Sequence, residues 1–147
     1  LHALFRSLET VHWDCESYNF GSIRTAEKLG LQLSHAHTMY TLILNPVRHD
    51  INRAWSHLDA GRYAQAMALC QEQIAAARPA PHPEYPYILA RCHLAGGQRD
   101  QAAQALTLAV QSGWDSLDEM QADFSVLAAD VSWSALLEQV QKNALAG

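Results

Sequence analysis

The chain has 147 residues, 49% of them hydrophobic, enough to pack one domain or two small ones and too many for a disordered segment. Its formal charge of −5 divides as −1 over residues 1–50 (four Lys/Arg against five Asp/Glu) and −4 over residues 51–147 (six against ten), so neither part offers the basic stripe that nucleic acid requires. No apolar run approaches the ~20 residues of a membrane helix, and no charged amphipathic helix suits a bilayer surface. The three cysteines, Cys15, Cys70 and Cys92, have no CxxC spacing, which argues against a disulfide framework or a zinc knuckle. Reduced, partly buried thiols in a cytoplasmic protein are the expectation.

In chain order, Leu1, Leu4, Phe5 and Leu8 have helical spacing and read as the last turns of a helix, so the chain is expected to be the C-terminal part of something longer. Val11 to Cys15 fits a short strand. Asn19 can cap a following helix by accepting from a free first-turn N–H. Ile23, Ala26 and Leu29 mark the buried face of that helix, with Arg24, Glu27 and Lys28 outward and Gly30 as its stop. Leu31 to Leu44 is a second strand candidate, with an apolar face that changes along its length, closed by Asn45-Pro46. Two strands and one short helix cannot bury a core alone.

These residues resemble the last quarter of a GNAT-type N-acetyltransferase. That superfamily carries a helix of the form N-x-x-[AS]-x-x-x-Y-x-K-x-G-F before a long strand, and Asn19, Ser22, Lys28 and Gly30 stand at matching places. The wording His12-Trp13-Asp14-Cys15, then Ala26-Glu27-Lys28-Leu29-Gly30, is similar to a bacterial subgroup. The resemblance implies that residues 1–46 are the end of a mixed sheet, an α+β fragment of two strands and a helix. It implies acetyl-CoA as cofactor, with Asn19 and Ser22 nearest its pantetheine arm, and a small-molecule amine as acceptor in the parent enzyme. Two departures weaken it. Ala26 stands where the family has the Tyr that protonates the leaving thiolate, and no [RQ]-x-x-G-x-[GA] loop for the CoA pyrophosphate is present. A fragment without activity, binding acetyl-CoA poorly, is the expectation.

From residue 47 onward the chain repeats itself at a shift of 36: Ala54 meets Ala90, Leu58 meets Leu94, Gly61 meets Gly97, Gln65 meets Gln101, Ala66 meets Ala102, and Ile74 meets Val110. Each unit is a helix, a Gly-containing turn and a second helix. Helices are predicted over Asp50 to Asp59 with an Asp cap, Tyr63 to Ala77, Tyr85 to Leu94, and Arg99 to Gln111, with a Pro-rich joint from Arg78 to Pro86. Trp114 to Met120 is predicted as an Asp-capped short helix, Asp123 to Leu127 as an anchored turn, and Ser132 to Ala144 as a last helix with Trp133, Leu136, Leu137 and Val140 on one face.

Trp55, Leu58, Gly61, Tyr63 and Ala66, and again Ala90, Leu94, Gly97 and Ala102, resemble the tetratricopeptide consensus. Residues 47–147 are thus expected to form an all-α tetratricopeptide-like array of helical hairpins, ending in a capping helix. That resemblance implies a groove for a protein or peptide partner; packing on a preceding catalytic domain is the competing role. Two functions stay open at this stage: the remnant of an acetyltransferase, or an interaction module with no catalytic activity. Other chemistry is thin. His35 and His37 share a strand face, but no third metal ligand is placed near them, with Asp14 and His12 only guesses. Cys15 with His12, and Cys92 with His93, are too close in sequence to face one another as nucleophile and base.

Overall fold

The computed structural model describes residues 15, 17, 19–33, 43, 45–129 and 132–146, and all regular structure among them is helical. Helix α1 spans Phe20–Lys28, α2 Pro46–Asp59, α3 Tyr63–Ala76, α4 Glu84–Ala95, α5 Arg99–Gln111, α6 Leu117–Phe124 and α7 Trp133–Ala146, with a 3₁₀ turn at Ser125–Leu127 after α6. The expected α+β front end is therefore corrected: among the described residues there is no strand and no sheet. Most of both predicted strands, 11–15 and 31–44, and the helix tail at 1–8 lie outside the described residues, while residues 31–33 and 43 are in no strand. Part of the reason is physical. Asn45-Pro46, read as a strand stop, is a helix start: the Asn45 side chain accepts from Arg48 N–H at 2.9 Å, and Pro46 takes the first helical position, where its missing N–H costs nothing.

The repeat seen at a shift of 36 is built from two equivalent hairpins, α2–α3 and α4–α5. After α2, Arg62 N–H donates to His57 C=O at 2.8 Å and Gly61 N–H to Leu58 C=O at 2.9 Å. After α4, Gln98 N–H donates to His93 C=O at 2.9 Å and Gly97 N–H to Leu94 C=O at 3.0 Å. This pair of bonds closes a helix only if the residue after the cap is left-handed, and Gly61 and Gly97 have φ of +71° and +74°. Ala66 and Ala102, one turn into the second helix of each hairpin, are both fully buried and let the two helices approach closely.

Two buried clusters share α4. Ile51, Ala54 and Leu58 of α2 meet Ala66 and Cys70 of α3 and Tyr85, Ile88 and Cys92 of α4. Tyr87 and Ala90 of α4 meet Leu106 and Val110 of α5, then Trp114, Met120, Phe124, Leu127 and Val140. The last of these lies on α7, whose Asn143 amide donates at 2.8 Å to both Val110 C=O and Trp114 C=O, satisfying one carbonyl in the last turn of α5 and one in the link that follows. The predicted helices over 63–77, 85–94, 99–111 and 132–144 agree with α3, α4, α5 and α7 to within two residues at each end. Two predicted caps do not hold. Asp50 lies inside α2, bonded to Arg53 at 3.2 Å, and α6 begins after Ser116 rather than from Asp115.

At the front, Asn19 caps α1 as expected, accepting from Ser22 N–H at 3.1 Å, and Gly30 (φ +80°) ends it. The start of α1 rests on the end of the first hairpin's helix. The Phe20 ring lies 6.0 Å from the His57 ring, and the Arg62 guanidinium sits 3.8 Å above it. Burial, followed by the charges of Arg53 and Arg62, lowers the His57 pKa.

A Cβ built at Gly61 or Gly97 meets nothing within 4 Å, so an alanine there is opposed by its backbone alone. Gly61→Ala and Gly97→Ala are each expected to lower stability by about 1–2 kcal/mol, and their effects to add. Urea denaturation reads both; a neutral substitution would mean that the turn is not left-handed.

Candidate functional site

An open groove of about 560 Å³ runs across the first helices of successive hairpins. Arg48 and Trp55 of α2 line one side. His82, Pro83 and Glu84, where the chain enters α4, form the floor. Gly113 to Ser116 and Glu119, from the α5–α6 link and the first turn of α6, form the other side. The groove thus follows from the stacking of hairpins and belongs to no single helix.

Its shape is fixed by side chains already bonded to one another. Glu84, in the first turn of α4 where the helix dipole favours a carboxylate, takes one bond on each oxygen. Arg48 donates to Oε1 at 2.6 Å and the Trp55 indole N–H to Oε2 at 2.6 Å. Both donors lie on α2, so one carboxylate ties the first hairpin to the second. Tyr85 adds a further tie, donating from its hydroxyl to Val47 C=O at 3.2 Å. Across the groove, the Trp114 indole N–H donates to Ser116 C=O at 3.1 Å, holding the α5–α6 link.

Behind Trp114 lies Tyr87, fully buried, its ring stacked at 3.7 Å and 13°. The Phe124 ring meets Tyr87 edge-on at 5.3 Å. A buried hydroxyl needs a partner, and Tyr87 donates to Asp123 Oδ2 at 2.8 Å. Arg91 Nε lies 3.4 Å from the same oxygen, and its guanidinium carbon is 5.4 Å from the Trp55 ring centre. Trp55 is thus held from two sides, by Glu84 and by Arg91.

The titration of this core is one-sided. Burial, then the bond to Asp123 and its charge, push the Tyr87 hydroxyl well above its ordinary value. Burial is also the first cause for Cys70 and Tyr85, each pushed up to about 12, and for Cys92, pushed up to about 11. Burial thus disfavours the thiolate form of both cysteines. A neutral acid whose pKa is raised by folding contributes stability below its unfolded value, and that stability is lost as pH rises through the folded value. Stability is therefore expected to hold up to about pH 9 and to fall steadily toward pH 12. Tyr87→Phe keeps the ring stack, should cost about 1.5–3 kcal/mol at neutral pH for the lost bond to a carboxylate, and should flatten the alkaline decline. Urea midpoints measured across that range for both proteins test this; identical pH slopes would contradict it.

The residues picked out from sequence for acetyl-CoA lie elsewhere. Asn19 and Ser22 are at the start of α1, joined by the 3.1 Å cap bond, and neither lines the groove. The bond that Asn19 makes is that of a helix cap. His35, His37, His12 and Asp14 lie outside the described residues. Among the described residues no group of three His, Cys, Asp or Glu side chains could hold a metal, and no helix is long and apolar enough to cross a membrane. Sequence reading missed Arg48, Glu84, Asp115 and Glu119 as groove residues and took Trp55 only as a position of the repeat consensus. The available signal was the 36-residue repeat, which puts positions of α2 and α4 side by side.

Comparison with protein families agrees with this architecture. Residues 57–122, from the last turn of α2 through most of α6, match a tetratricopeptide repeat. The chain therefore contains a tetratricopeptide-type repeat, and all regular structure among the described residues is helical. No curated protein and no solved structure matches it. The acetyltransferase parentage expected from residues 12–31 has no support in the family comparison or in the helical fold.

Proposed function

We propose that this chain works as a protein-interaction module, with residues 47–147 as the working unit and an extended segment of a partner protein as the ligand. The observation that carries this reading is the groove itself. Successive hairpins of a tetratricopeptide-type repeat supply its walls, and its aromatic side chains are locked before any ligand arrives. A preformed groove loses little side-chain freedom on binding, which favours capture of a flexible segment. Helical-repeat arrays offer such surfaces because each added hairpin extends the same face. The buried thiols Cys70 and Cys92 belong to the core and do not line the groove, and Glu84 in the groove is bonded on both oxygens.

Selection of short random peptides displayed on phage tests the proposal. Ser116 lines the groove and its side chain makes no cap bond, so Ser116→Trp fills the space without removing a contact. Selected peptides are expected to lose binding to Ser116→Trp by tenfold or more, roughly the loss of one well-placed contact group. They should keep full binding to Glu138→Lys, an exposed position on α7 outside the groove. Peptides indifferent to Ser116→Trp would overturn the assignment.

A further inference from the structure

Resting on that reading, we infer that the groove selects a cationic side chain: a Lys or Arg of the partner segment seated against Asp115 and Glu119. Arg48 and Glu84 bond at 2.6 Å and cancel. Glu84 is further engaged by Trp55, so each of its oxygens already accepts one bond. Asp115 and Glu119 remain, both exposed, on the opposite wall, and neither has a hydrogen-bond or ion-pair partner among the described residues. The free charge of the groove is therefore negative, in a part of the chain, residues 51–147, that carries −4 in all.

A second observation concerns what the groove already accommodates. The Arg48 guanidinium, 58% exposed, lies in it against a carboxylate that also receives an indole N–H. The molecule thus seats one guanidinium of its own on one wall and leaves two carboxylates on the other. Trp55, half-buried, gives an incoming Lys or Arg an aromatic surface for its aliphatic stem while the charged end reaches water and the acids. An acidic ligand would meet Asp115 and Glu119 as like charges, and the one guanidinium in the groove lining, Arg48, is already paired with Glu84. Charge of this kind, at an exposed rim, sets selectivity and salt dependence more than affinity.

The test uses the whole chain and the same displayed random peptides. The wild-type protein is expected to enrich peptides rich in Lys and Arg over Asp and Glu. Asp115→Lys with Glu119→Lys is expected to reverse that preference. The best cationic peptide should bind the milder Asp115→Asn, Glu119→Gln variant roughly 3- to 30-fold more weakly, the range for two exposed ion pairs, and should weaken with added salt. Far-UV circular dichroism reads whether each variant folds. Acidic or uncharged peptides selected by the wild type, or no change on charge reversal, would overturn the inference. If those peptides still lose binding to Ser116→Trp, the groove reading survives and only the charge assignment falls. If binding ignores Ser116→Trp, both fall.

Discussion

Helix α4 has almost no free face in its first half, and that constraint governs the rest of the structure. Tyr85, Pro86, Tyr87 and Ile88 are consecutive and all buried, which a helix tolerates only when covered from several directions. Tyr85 and Ile88 face the first hairpin, and Tyr87 faces Trp114 and Phe124. Pro86 fits because it lies in the first turn, where backbone N–H groups have no helical partner. Burying an aromatic ring of this size is worth about 4–6 kcal/mol of apolar area, but only if the hydroxyl is satisfied. Asp123, just before the end of α6, supplies the partner, so one tyrosine fixes where the closing helices sit.

The groove is a consequence of that arrangement. Trp114 is stacked on Tyr87 and therefore cannot leave the groove wall without exposing the core. Trp55 is pinned by Glu84, which in turn sits in the first turn of α4. Groove and core thus share residues, and the groove inherits the rigidity of the core. The free carboxylates lie on the short link and first turn beyond α5, where a change of sequence alters charge without touching packing.

Much of the helical array was legible in the sequence because its determinants are local. The Gly61–Gly97 pair, the buried alanines at Ala66 and Ala102, and the apolar spacing of α3, α5 and α7 all act within a turn or two. Asn45-Pro46 was not legible, since the same dipeptide closes a strand or opens a helix, and the residues on its C-terminal side decide between them. The acetyltransferase resemblance rested in part on Asn19 and Gly30, and both are ordinary helix punctuation: an N-cap that bonds Ser22 N–H, and a left-handed stop. A motif made largely of such residues carries little information about chemistry. The groove could not be read directly, because its residues come from segments around 48, 55, 84 and 115 that only the stacking of hairpins brings together.

The central claim is that α4 couples the two buried clusters into one cooperative unit on which the groove is built. Equilibrium unfolding of the full chain in urea, followed at once by tryptophan fluorescence and by far-UV circular dichroism, tests it most directly. Trp55 lies on α2 and Trp114 and Trp133 lie in the closing half, so fluorescence and the helix signal each sample both halves. The account predicts a single transition with coincident midpoints. Two separated transitions, with fluorescence changing before most of the helix is lost, would show that the hairpins fold independently and would contradict it.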